Sequence, residues 1–241
     1  MHTKAFIFVA LSGIATAGPI KVRQTRINSN EFSEGGCRDI LFAWARGSGE
    51  TGNMGTVVGP PTSDDLKQSF GATNVATEGI DYAALIGTNA LPGGTDTRSK
   101  GLMQDTLNEM ASKCPDSVIV AGGYSQGAAV SHRAIEALDA TVQDQIAGVI
   151  LYGDTQKLQD NNQIPNFPAD KVMIICQPGD LVCLGTLTVL PVHLTYGVRA
   201  DEGAAFLTEK VKGAQAKVKA RNLKMRAAEM EKRAAEELEA I

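Results

Sequence analysis

The sequence predicts an α/β fold, a central, mostly parallel sheet with helices on both faces. Short apolar runs of strand length alternate with stretches of helical periodicity. One run leads through a glycine-flanked serine turn straight into a helical pattern. A chain of 241 residues is also long enough to bury the core of one such domain.

The first stretch, "MHTKAFIFVALSGIATAGPI", has Lys4 as a positive flank, an apolar run from Ala5 to Ile14, and small residues at Ala15–Ala17. The run falls short of the ~20 residues a membrane-crossing helix needs. Residues 1–17 are therefore read as a signal peptide, and the mature protein as secreted and extracellular. Residues 18–36 are polar and glycine-flanked, which suggests a propeptide or a flexible arm. "DILFAWA" then reads as a strand, and "PTSDDLKQSFG" as a helix capped by Thr62 or Ser63 and stopped by Gly71. "RSKGLMQDTLNEMASK" forms a second helix with Leu102, Leu107 and Met110 on one face. "SVIVAGGY" is a strand, "GAAVSHRAIEALD" a helix, and "IAGVILYG" and "KVMIICQ" two further strands. From residue 212 to 241 the composition shifts to strong helix formers, basic up to Arg226 and acidic from Glu229. This reads as a charged, solvated helical extension, with partner binding as the alternative. The α/β domain itself is placed at 37–211.

A chain 43% hydrophobic and 21% charged is neither disordered nor built to span a membrane. A net charge of −4 gives no reason to expect nucleic acid as a partner. Cys37, Cys114, Cys176 and Cys183 are an even number in an exported chain, which suggests two disulfides and leaves three pairings open. Cys176 and Cys183 enclose only "QPGDLV", which favours that local pair and leaves Cys37 for Cys114. The spacings do not suit zinc and histidines are few, so no metal or other cofactor is expected.

Two glycine motifs compete for attention. In "ARGSGETG", Gly47, Gly49 and Gly52 have the spacing of a dinucleotide loop, whose glycines must open a helix. Here they run into "NMGTVVGPPTS", where Gly55, Gly59, Pro60 and Pro61 are not expected to begin one, and Asp64 and Asp65 lie in a helical pattern rather than at a strand end. A nucleotide site is excluded on this context. "GYSQG", Gly123–Gly127, lies between the strand "SVIVAG" and the helix "AAVSHRAIEAL". That is the context of the α/β-hydrolase nucleophile elbow, with Ser125 as nucleophile and the Gln126 N–H at a helix N-terminus.

A serine hydroxyl needs a base. His2 leaves with the signal, and His132 lies seven residues along the helix, about 10 Å from Ser125 at ~1.5 Å per residue. His193 remains, by elimination. The carboxylate between them in the chain is Asp154 or Asp180. The residues alone lean towards Asp180, bracketed by the proposed Cys176–Cys183 bridge, without closing the choice.

From Cys37 to Val211 the chain resembles the fungal cutinases, secreted serine esterases of a minimal α/β-hydrolase fold. The resemblance rests on "CRDILFAWARGSGETGN", "TNALPGGT", "KCPDSVIVAGGYSQGAAV", "IPNFPAD", "GDLVC" and "HLTYG", in this order. It implies a triad of Ser125, Asp180 and His193, and an oxyanion hole formed by Ser48 of the "RGS" loop with the N–H of Gln126. It implies that Asn89 steadies Ser48, that Ile86, Leu187, Val189 and Leu194 form the acyl-binding rim, and that the disulfides are Cys37–Cys114 and Cys176–Cys183. The chain departs from the family at Gly49, where threonine is usual, at Val192, with proline one place early at Pro191, and at Asp154, where an aromatic or apolar residue is common.

The expected activity is hydrolysis of cutin, a hydroxy fatty acid polyester, and of small soluble esters, by a monomer without stable membrane insertion. An acetylxylan esterase and a non-catalytic secreted binding protein on the same fold are the alternatives.

Overall fold

The computed structural model describes residues 25–239; the segment read as a signal peptide lies outside them. Five parallel strands, β1 (Ile40–Ala45), β2 (Val75–Gly79), β3 (Val118–Tyr124), β4 (Ile146–Tyr152) and β5 (Val172–Ile175), form one sheet in the order β2-β1-β3-β4-β5. Parallel neighbours need crossovers; helices supply three of them, and an irregular segment ending in a 3-10 turn at Ala169–Lys171 joins β4 to β5. The helices are α2 (Gly59–Phe70), α3 (Thr97–Lys113), and α4 (Gln126–Ile135) followed by α5 (Ala140–Gln145).

Strands β1, β3, β4 and β5 are apolar on both faces because both faces are covered. Along β1, Leu41, Ala43 and Ala45 face a core shared with Met103, Leu107 and Met110 of α3 and with Val130 and Ile135 of α4. Ile40, Phe42 and Trp44 face the opposite core, with Leu66 of α2 and with Ala204, Leu207 and Val211 of α6 (Ala200–Glu239). Each fully buried Leu, Ile or Val contributes roughly 1.5–3 kcal/mol. Trp44 is wholly buried and donates its Nε1 proton to the Met54 carbonyl at 2.9 Å.

Three segments differ from the sequence expectation. Helix α2 starts at Gly59 with Pro60 and Pro61 in its first turn, so the Gly-Pro-Pro run does open a helix. First-turn N–H groups have no intrahelical acceptor and proline's φ suits a helix start. Thr62 and Ser63 are therefore inside the helix; the residue before it, Val58, has no capping side chain. Strand β2, "VATEG", carries Glu78 in the sheet, where its carboxylate accepts the N–H of Phe32 and of Ser33, each at 3.1 Å. Burial raises that carboxyl's pKa, against the backbone bonds that lower it. Those N–H groups belong to α1 (Glu31–Gly35). Residues 25–36, read as part of an arm, are packed on the domain: Phe32 is buried, and Lys67 Nζ lies 2.8 Å from Glu31 and 3.0 Å from Thr25.

Disulfides Cys37–Cys114 and Cys176–Cys183 are both present. Helix α6 runs unbroken past residue 212, its first part docked on the sheet through Ala200, Ala204, Leu207 and Val211. Among the described residues no helix is long and apolar enough to cross a membrane.

Candidate active site

Between the end of β3 and the start of α4 stands a single residue, Ser125, at φ 55° and ψ −118°. That conformation costs a non-glycine residue roughly 1–3 kcal/mol, so its surroundings must impose it. The Ser125 N–H donates to the Tyr152 carbonyl at 2.9 Å. A Cβ on Gly123 would lie 2.2 Å from the Gly127 carbonyl oxygen, and one on Gly127 would lie 1.9 Å from that of Ala45. Both positions flanking the turn therefore require glycine.

His193 and Asp180 are buried, with imidazole Nδ1 2.8 Å from Asp180 Oδ2. Asp180 Oδ1 accepts the Val182 N–H at 3.1 Å, and Oδ2 also accepts the Tyr196 hydroxyl at 2.7 Å. Burial, followed by the Asp180 contact, pushes the Tyr196 phenol well above its ordinary pKa, which keeps it a donor at neutral pH. The imidazole is stacked against the Tyr124 ring and meets the Tyr196 ring edge-on. The Tyr124 hydroxyl donates to the His193 carbonyl at 2.6 Å. Below the ring lies Gly153, where a Cβ would come within 2.8 Å of His193 Cε1. With Nδ1 committed to Asp180, the other nitrogen, Nε2, is buried without a hydrogen-bond partner. His193 and Ser125 line the same cavity, of about 320 Å³.

The loop after β1 forms another wall. Asn89 Nδ2 donates to Ser48 Oγ at 2.8 Å and to the Ile86 carbonyl at 2.9 Å. Glu50 organises the loop from within, accepting the N–H of Gly47 (2.6 Å), Thr56 (2.8 Å) and Val57 (2.9 Å). Arg46 donates to the carbonyls of Glu50 and Tyr82, tying the loop to the chain beyond β2. The loop glycines thus serve an acceptor-centred turn: Gly52, at φ 75°, leaves no room for a Cβ beside the Ile27 carbonyl. Gln126 is fully buried and its side-chain amide holds the Leu85 carbonyl at 2.9 Å and the Thr88 hydroxyl. Ile86, Leu187, Val189 and Leu194 all line the cavity and are exposed, at 75%, 54%, 56% and 61%.

Asp154 is elsewhere: it pairs with His132, Oδ2 to Nε2 at 2.9 Å, and does not approach His193. The contributions of Tyr124, Tyr196, Gly153 and Glu50 are not apparent from sequence spacing. Tyr124 in "GYSQG", Tyr196 in "HLTYG" and Glu50 in the "RGSGETGN" stretch all stand in recognisable motifs, but their roles depend on tertiary partners. Among the described residues no group of three or more His, Cys, Asp or Glu side chains is placed to hold a metal ion.

A strained serine on a strand-to-helix turn, facing one cavity with a carboxylate-bound imidazole, is an arrangement suited to nucleophilic attack on an acyl carbon. The Cutinase family model matches residues 36–211. The chain belongs to the cutinase family. Among relatives in that family, Cutinase 1 of Fusarium vanettenii is 45% identical over 196 residues, spanning 80% of this chain and 84% of its own. Cutinase 3 of Emericella nidulans is 41% identical over 222 residues, 88% of this chain and 99% of its own. A Trichoderma reesei cutinase solved with a phosphonate inhibitor superposes with a TM-score of 0.69 at 33% identity, covering 77% of this chain and 80% of that one. An acetylxylan esterase shares the fold at a TM-score of 0.57 and 17% identity, covering 73% of this chain and 99% of its own. The family match ends at Val211, the last fully buried residue of α6 among those described.

Proposed function

We propose that this member of the family is a secreted serine esterase acting on cutin and on small soluble esters, with Ser125, His193 and Asp180 as its catalytic triad. The observation that carries the assignment is the His193–Asp180 bond at 2.8 Å, which leaves Nε2 free beside a cavity lined by Ser125. Asp180 holds the imidazole as the Nδ1–H tautomer, and Tyr196 fixes the carboxylate in turn.

In the forward step, His193 Nε2 takes the proton of Ser125 as Oγ attacks the ester carbonyl carbon. The charge passes to the carbonyl oxygen, which receives the Gln126 N–H and the Ser48 N–H and hydroxyl. Loss of one such donor costs ~3 kcal/mol of transition-state stabilisation. Collapse of the tetrahedral adduct breaks the ester C–O bond, and His193 returns its proton to the leaving alcohol. Water, deprotonated by the same nitrogen, then releases the acyl group and regenerates Ser125.

The exposed rim of Ile86, Leu187, Val189 and Leu194 supports a long aliphatic acyl substrate over an acetyl group on a polysaccharide. Comparing p-nitrophenyl butyrate with acetyl-xylan tests this choice; faster release of acetate from xylan would favour the acetylxylan esterase reading. Loss of butyrate turnover in Ser125→Ala separates an esterase from a binding protein on the same fold.

A further inference from the structure

Two helical turns beyond the elbow, α4 buries another histidine, wholly out of solvent. His132 Nε2 lies 2.9 Å from Asp154 Oδ2, and Nδ1 lies 2.7 Å from Asp160 Oδ2. Arg133 pairs with Asp160 and, at 3.3 Å, with Glu136. Lys100, from α3, adds a positive charge facing Glu136. A neutral imidazole has one donor nitrogen and one acceptor, and the acceptor would point its lone pair at a carboxylate. Nε2 is hydrogen-bonded to Asp154, whereas Nδ1 has no aligned hydrogen-bond partner and meets Asp160 as a close charge, so only the doubly protonated ring is matched to both aspartates. With that proton in place, three carboxylates (Asp154, Asp160, Glu136) meet three cations (His132, Arg133, Lys100).

The cluster is joined to the catalytic groups by short stretches of backbone. Asp154 Oδ1 accepts the Gln156 N–H at 2.8 Å, closing a turn around Thr155. The residue before Asp154 is Gly153, where a Cβ would collide with the His193 ring, and the residue after it, Thr155, lines the cavity. On the other side, Gly93 lies against the Arg133 side chain and Gly94 against Gln156. That turn follows Asn89, which holds Ser48.

We propose that His132 is a positioning residue of this esterase, an imidazolium that locks Asp154 and Asp160 and so fixes the Gly153–Thr155 floor beneath His193. Burial alone would lower its pKa, but the charge and hydrogen bond of Asp154, then those of Asp160, outweigh burial and raise it to about 9. Above that pH the ring turns neutral between two carboxylates, and the floor is released.

The proposal rests on the esterase reading, so its test has two readouts. One is the NMR titration of the His132 imidazole in the intact protein. The other is kcat and KM on p-nitrophenyl butyrate from pH 6 to 10.5 for wild type, His132→Gln and His132→Gln/Asp160→Asn. The titration midpoint is expected near 9, with wild-type kcat falling about ten-fold through it at constant KM. His132→Gln starts about ten-fold low at pH 7.5 and shows no such fall, and neutralising one carboxylate in the double variant, which again balances the charges of the cluster, restores most of the loss. A midpoint below 7, or an alkaline fall in either variant parallel to wild type, overturns the proposal. If His132→Gln does not fold, the wild type and the double variant still decide it. A midpoint near 9 in a folded protein without Ser125-dependent turnover overturns the esterase reading instead.

Discussion

Tyr196 donates its hydroxyl proton to Asp180 Oδ2, the same oxygen that faces His193 Nδ1, at 2.7 Å against 2.8 Å. One carboxylate oxygen thus serves two donors, and the Tyr196 ring also borders the imidazole. The phenol hydroxyl accepts the Gln177 N–H at 2.9 Å, so it is fixed from both sides. Tyr196→Phe removes a hydrogen bond to a charged group, worth about 1.5–3 kcal/mol. We expect kcat to fall about ten-fold with KM nearly unchanged, measured on p-nitrophenyl butyrate. Unchanged kcat would mean that Asp180 needs no partner beyond His193 and the Val182 N–H.

The position of Ser48, proposed here as an oxyanion donor, depends on Asn89 and on the Glu50-centred loop. Asn89→Ala frees the Ser48 hydroxyl, and Glu50→Gln replaces a charged acceptor of three backbone N–H groups with a neutral one. Both should lower kcat, Asn89→Ala by about ten- to a hundred-fold, because a misplaced donor loses part of the ~3 kcal/mol an oxyanion donor supplies. Glu50→Gln should also lower Tm, since the loop packs through it. A rise in KM alone would place both residues in substrate binding.

The two disulfides should have separable effects. Cys37–Cys114 closes a separation of 77 residues and Cys176–Cys183 one of 7. Loop-closure entropy assigns them about 4.5 and about 2.4 kcal/mol. Replacing the first pair by alanine should cost mainly stability in urea unfolding. Replacing the second should cost less stability but more kcat, because Asp180 lies within that loop. Equal losses of kcat from both would contradict the assignment.

Stability should also vary with pH through His132. Its pKa is about 9 in the folded protein against an ordinary 6.5, so the folded state binds the proton more tightly. The stabilisation is complete below about pH 6.5 and is lost as pH rises through 9, on the order of 3 kcal/mol in all. Urea midpoints measured from pH 6 to 10 should fall across that window. In His132→Gln the fall should be absent.

How far the sequence reveals this molecule depends on how local each signal is. Four of the five strands are continuous apolar runs and can be read directly; β2 cannot, because "VATEG" places a glutamate in the sheet and α1, distant in sequence, satisfies it. The Gly-Pro-Pro start of α2 is misleading because proline suits a first helical turn and no other. Ser125 can be found because its turn geometry demands glycines within two residues on either side. Tyr196 and Glu50 cannot, since their partners come together only through tertiary packing. Asp154 and Asp180 both lie after strands, and only the fold shows that one faces His132 and the other His193.

The most direct test of the account is hydrolysis of p-nitrophenyl butyrate by the purified protein beside Ser125→Ala, with folding of both checked by circular dichroism. The account predicts turnover by the wild type and a loss of at least ~10⁴-fold in the variant. Comparable turnover by the variant, or none by a folded wild type, would contradict it.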